Sequence, residues 1–291
     1  MPLGLSLSHS TATHQALALL SHGFRHALWK RRAGAARKHG SACFWWCAGL
    51  GTNGNLIVAD GGWVREARAL EMLRLAAANG PVALATSLSA EDMVLTDLIA
   101  RHNLPIGLFA LDTGMLHDET LAMIAQIEGH YSLRVRVVTP DAHAVQTYID
   151  TFGKHGFYES VAARVACCDV RKVAPLGLAL TGLSAWVTGQ RREQATSRAA
   201  LAEIEPRDGR GLIKYNPLAD WSWQDVLDYV ARHNVPHSPL YARGYVSIGC
   251  ATCTRALKPG EDPRAARWWW EDNNNKECGL HVVMQDKESV L

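Results

Sequence analysis

The sequence predicts an α/β protein, a twisted parallel sheet flanked by helices and followed by a flexible C-terminal tail. Short apolar runs alternate with stretches of helical spacing between Trp63 and Thr188. Repeated strand–helix units need crossover connections, and these place helices on the faces of a parallel sheet. Three strand ends also run into polar loops, at 87–92, 112–114 and 189–198. Sheets of this kind collect their ligands beyond the carboxyl ends of their strands.

Composition narrows the functional classes. The 291 residues are 48% apolar and 20% charged, which is ordinary for a globular protein with a real core. A formal charge of +2 gives no general affinity for nucleic acid or an anionic membrane. No run of about eighteen apolar residues is present, so no membrane-spanning helix is expected. Seven cysteines are odd in number and too sparse for a disulfide scaffold of this length. They fit thiol or metal chemistry in a reducing, cytoplasmic setting.

Residues 1–59 contain no Asp or Glu but carry Arg25, Lys30, Arg31, Arg32, Arg37 and Lys38. They read as a disordered or non-native extension whose removal leaves the body intact. The body begins with a helix over 63–78, with Ala67, Leu70, Leu73, Leu75 and Ala76 at helical spacing. Asn79-Gly80-Pro81 stops it. Val82-Ala-Leu-Ala-Thr86 is a buried strand. Ser87-Leu-Ser-Ala-Glu-Asp92 then leads into a helix over 93–100. Such a junction aims backbone N–H groups at an anion; it is equally a capping box with Ser89 as N-cap and Asp92 as its partner.

A second strand spans 105–111, and Asp112-Thr113-Gly114 turns at its end. A helix over 116–127 is closed by Gly129, a third strand covers 133–138, and Thr139-Pro140-Asp141 opens the next helix. A fourth strand, 183–188, runs into the arginine-rich loop 189–198. Residues 212–218 are extended. Ser222 is the expected N-cap of a helix over 223–233. Of the three consecutive tryptophans 268–270, at least one is expected to pack over a ligand or partner, because regular structure cannot turn all three inward.

The chemistry-bearing motif is Cys167-Cys168 with the later Cys250-Ala-Thr-Cys253. Four thiolates suit a tetrahedral zinc or an iron–sulfur cluster. Zinc sites usually draw on two C-x-x-C knuckles, and the adjacent pair departs from that habit. Buried free cysteines beside a chance C-x-x-C are the alternative.

Taken with the loop Gly189-x-Arg-Arg-Glu-Gln and the ending Glu277-Cys278-Gly-Leu-His281, these motifs resemble the assimilatory adenylyl-sulfate reductases of the phosphoadenylyl-sulfate reductase family. The resemblance covers residues 62–285, which it implies form one sulfonucleotide reductase domain, and leaves out 1–59. It implies a fold similar to adenine-nucleotide α-hydrolases and a [4Fe–4S] cluster on Cys167, Cys168, Cys250 and Cys253. It implies Cys278 as nucleophile, with thioredoxin or glutaredoxin as thiol donor. Substrate contacts fall on Ser87, Ser89, Leu111, Thr113, Lys172, Gly189, Arg198, Arg264, Arg267 and His281. The implied reaction reduces adenosine 5′-phosphosulfate to sulfite and AMP in sulfate assimilation and cysteine biosynthesis. The 3′-phosphorylated substrate, or a non-catalytic iron–sulfur or zinc protein, is the competing reading, and a homo-oligomer is left open. The loop at 87–92 lacks the Gly-Gly and Lys of ATP-pyrophosphatase loops. Arginine forks and a lysine charge suit a phosphate–sulfate anhydride.

Overall fold

The computed structural model describes residues 61–262 and 264–271. The expectations for residues 1–59, for Cys278 and His281, and for the C-terminal tail lie outside these residues. Helix α1, Gly61–Ala78, buries Ala69, Met72, Leu73 and Ala76. That stripe has the expected period but is rotated from the expected one, since Leu75 faces solvent. Strand β1, Val82–Thr86, is followed by α2, Ala90–Arg101. Ser89 occupies the N-cap without a side-chain capping bond. Asp92 turns back instead and accepts both the backbone N–H and the hydroxyl of Ser87, each at 2.6 Å. The expected capping box is thus replaced by a clasp on the preceding loop.

Strand β2 is Gly107–Leu111, and α3, Asp118–Tyr131, runs through Gly129. The helix ends at Ser132, whose left-handed backbone closes the last turn on the Glu128 carbonyl. Strand β3, Val135–Val138, leads to α4, Ala142–Phe152, capped by Asp141 as expected. A continuous helical rod follows: α5, Val161–Cys168, a wide π turn at Asp169–Val173, and α6, Ala174–Leu180. Pro175 has no N–H to give the preceding turn, a deficit that a locally widened helix absorbs. Strands β4, Ala185–Val187, β5, Ile204–Glu205, and β6, Ile213–Tyr215, precede α7, Trp223–His233. Ser222 and Asp225 cap α7 reciprocally.

The strand order is β3-β2-β1-β4-β6-β5. All pairings are parallel except β5 with β6, an antiparallel edge the sequence reading did not include. Alternate strand residues face opposite ways. Leu84, Leu108, Ala110, Val135 and Val187 pack with α1, α2, α3 and α7. Ala83, Phe109 and Trp186 pack on Leu176, Ala179 and Leu180 of α6. The sheet is therefore covered on both faces, as the alternating units predict. No described helix is long and apolar enough to cross a membrane.

Candidate active site

The chain leaves β1 for β2 and β3 on one side, then returns to the other side of β1 with β4. That reversal splays the loops after β1 and β4 and opens a crevice between them. A cleft of about 440 Å³ lies there, within the usual size of small-molecule sites. Its walls come from the loop after β1, the end of β2 and the loop after β4.

Each wall is held by a specific contact. Leu88 is buried in the first loop with a left-handed φ of 63°, held by its N–H donating to the Thr86 hydroxyl at 3.0 Å and by the Asp92 clasp on Ser87. Burial lifts the Asp92 carboxyl to about 6, against the lowering effect of its bonds from Ser87 and Gly189. Gly189 passes so close to α2 that a Cβ there would overlap the Asp92 carboxylate and lie 3.0 Å from the Glu91 Cβ. The same loop is tied down by Arg191, whose Nε and Nη2 donate to Glu91 Oε1 at 3.1 and 3.0 Å. Both partners are buried. Tyr241 closes the far side, its hydroxyl accepting the Ala90 N–H at 2.8 Å.

Cations gather along the cleft. Lys172, Arg198, Arg264 and Arg267 all line it. Gly249 packs directly against Arg267, and a Cβ there would fall 2.5–2.7 Å from three guanidinium atoms and displace the guanidinium. Trp268 lies between Arg164 and Arg267, whose guanidinium carbons stand 4.8 and 4.6 Å from its indole. The tryptophan run does not turn inward as a whole: Trp268 lines the cleft, Trp270 packs on Tyr158 at 4.5 Å, and Trp269 is exposed.

The four expected cysteines also meet. Cys167, Cys168, Cys250 and Cys253 are free, buried, and line one small cavity. The turn carrying Cys250 and Cys253 is pinned through Ala251 N–H to the Met115 carbonyl at 2.8 Å and through Trp268 N–H to the Cys253 carbonyl at 3.1 Å. Among the described residues no three His, Cys, Asp or Glu side chains converge closely enough to hold a single metal ion. Arg164, Arg171 and Lys172 surround the thiols, and their charges act on Cys168, Cys167 and Cys250 respectively. Burial pushes the Cys167 and Cys253 thiols up. Burial would also raise Cys250, but the Lys172 charge, a bond with Thr113 at 3.3 Å and the Arg267 charge bring it below its ordinary value. Lys172 lines both the cysteine cavity and the cleft.

Ser87, Ser89, Leu111, Thr113, Lys172, Gly189, Arg198, Arg264 and Arg267 thus all line one cleft. Sequence reasoning did not single out Glu91, Arg191, Gln194, Tyr241 or Gly249. Glu91 and Arg191 are 100 positions apart, and no local pattern marks them as partners. An acid inside a loop read as anion-binding was the available signal.

A phosphoadenosine phosphosulfate reductase domain matches residues 81–256. An adenosine 5′-phosphosulfate reductase of Burkholderia cepacia is 52% identical over 201 residues, 69% of this chain and 80% of the relative. That of Allochromatium vinosum is 52% identical over 218 residues, 75% of this chain and 85% of the relative. That of Neisseria meningitidis serogroup B is 46% identical over 238 residues, 81% and 96% of the two chains. A solved phosphoadenylyl-sulfate reductase from Candida auris, in complex with phosphate, superposes with a TM-score of 0.54 at 27% identity, over 63% of this chain and 88% of that one. With the sheet order, the cleft and the matched span in agreement, this chain belongs to the phosphoadenosine phosphosulfate reductase family.

Proposed function

We propose that this enzyme reduces adenosine 5′-phosphosulfate to sulfite and AMP with electrons from a dithiol protein such as thioredoxin or glutaredoxin. The observation that carries the reading is one side chain, Lys172, placed on the wall between a cation-lined cleft and a four-cysteine cavity. The names of the relatives at 46–52% identity support the 5′-phosphosulfate as substrate.

The cysteine cavity fits a [4Fe–4S] cluster on Cys167, Cys168, Cys250 and Cys253. A cubane offers separate iron corners, so four thiols lining one space suit it without meeting at a point. Three nearby cations offset the negative charge of four thiolates. When bound, the cluster supplies charge and mechanical support beside Lys172. The remaining work falls to the chain's own residues. Lys172, Arg198, Arg264 and Arg267 bind and orient the phosphosulfate oxygens. The loop at 87–89 and the β2 end, Leu111 and Thr113, receive the nucleoside with Gly189.

Cys278 is the nucleophile in this reading, with His281 three positions on in the sequence. Its thiolate attacks the sulfate sulfur, an S–S bond forms, and AMP leaves with the electrons of the broken O–S bond. A donor thiolate then attacks the Cys278 sulfur, and sulfite leaves with the electron pair. A second donor thiol resolves the mixed disulfide, so the donor is oxidised by two electrons and Cys278 is restored.

Incubation with adenosine 5′-phosphosulfate and no reductant should give about one equivalent of AMP and an S-sulfonate on the Cys278 peptide, and Cys278→Ser should give neither. Equal or faster adduct formation with the 3′-phosphorylated substrate would overturn the substrate assignment, and an adduct on another cysteine would overturn the nucleophile.

A further inference from the structure

Loop 189–198 carries three arginines. Arg191 is bound to Glu91 and Glu193, and Arg192 to Asp220. Among the groups that Arg198 meets is an amide. The Arg198 Nη1 donates to the amide oxygen of Gln194, four residues back across the extended Ala195. That same oxygen accepts the Arg191 backbone N–H at 3.1 Å. The other end of the amide, Nε2, donates to Glu91 Oε1 at 2.9 Å.

An amide engaged at both ends cannot turn over without placing N–H against donors and oxygen against a carboxylate. Its acceptor end is therefore fixed toward Arg198. Glu91 is fixed in turn, since it sits buried on the first turn of α2 and takes two bonds from Arg191. We infer that Gln194 is a positioning residue: anchored on Glu91, it holds the Arg198 guanidinium in the cleft. A neutral amide suits the task because it orients an arginine without adding a negative charge of its own. A carboxylate at 194 would neutralise the cation and face Glu91 with a like charge.

This rests on the proposed function in one respect, that the anionic end of the nucleotide is what Arg198 meets. The test uses full-length holoprotein and titration calorimetry with AMP and with adenosine. Gln194→Met should weaken AMP binding about tenfold and leave adenosine within about twofold, with iron content unchanged. In an Arg198→Ala background the same replacement should change AMP affinity by less than about twofold, because the oriented group is gone. In turnover, KM for the sulfonucleotide should rise with kcat nearly constant, the sign of lost uniform binding. Equal weakening of AMP and adenosine, or an undiminished effect without Arg198, would assign Gln194 a structural role only and overturn the inference. Absence of turnover in the unaltered protein would count against the proposed reaction alone, since the AMP titration does not depend on it.

Discussion

Replacing Arg191 by Met separates charge pairing from packing at the cleft wall. Arg191 and Glu91 expose only 6% and 8% of their side chains. The methionine stem keeps most of the volume that now lies against Trp223, where the guanidinium carbon is 5.6 Å from the ring. What vanishes is the cation. Glu91 is left with Gln194 as a neutral donor. Breaking a buried pair from one side typically destabilises by about 3–5 kcal/mol, because an uncompensated charge stays behind. Native stabilities are commonly about 5–15 kcal/mol, so this is a large share of the total. For a domain of this size each kcal/mol moves Tm by about 2–4 °C, which gives a fall of roughly 6–20 °C. Adding Glu91→Gln should recover most of the loss, since neither charge then remains buried. The assay is anaerobic thermal unfolding of the holoprotein, followed by circular dichroism, for the two single variants and the double. A fall under about 3 °C for Arg191→Met, or an equal fall in the Glu91→Gln background, would refute the reasoning.

Two further outcomes follow from other residues. The Asp92 carboxyl, raised by burial to about 6 from an unfolded value of 3.8, is protonated in the folded state and ionised in the unfolded one between those limits. The folded state then binds the extra proton, so this group's contribution is complete below about pH 4 and is lost as pH rises through 6, by roughly 3 kcal/mol in all. Denaturant midpoints should fall over that window in the wild type and fall less in Asp92→Asn; parallel slopes would disprove the assignment. Anaerobically purified protein should carry about four irons and four acid-labile sulfides per chain, and Cys250→Ser should lose them, because a hard oxygen replaces thiolate poorly. One tightly bound zinc in place of iron would exclude the cluster.

Strands β1, β2 and β4 were legible because each is a short apolar run that the sheet buries on both faces. The helix ends were less so. Gly129 looks like a stop, but a glycine inside a packed helix is only a modest penalty, and Ser132 ends α3 instead. The stripe on α1 was misplaced because Leu75 and Ala67 share the helical period with Met72 and Ala69, and only tertiary packing selects between them. Strand β5 has two residues, too few for any period to show. At the site, the cysteines and the loop at 87–92 stood out through spacing. Arg191 and Arg192 are adjacent and look alike in sequence, yet one is buried on Glu91 and the other pairs with Asp220 near the surface. That distinction exists only once the loop has folded back onto α2.

The π turn at Asp169–Val173 has a consequence for how this chain tolerates changes in length. It lies between the cysteines of α5 and the sheet-facing leucines of α6, and Lys172 is inside it. A helix advances about 100° per residue. Wound regularly, the five residues of the turn would carry α6 about a third of a revolution further round relative to Cys167 and Cys168, and Leu176 and Leu180 would leave the sheet. The wide turn takes in more residues per revolution than a regular one, so it absorbs the extra residue and α5 and α6 keep the mutual orientation of an uninterrupted rod. A single-codon deletion within the turn would therefore leave the cysteines and the leucines in phase, and its cost would fall on Lys172, whose place in the widened turn would be lost.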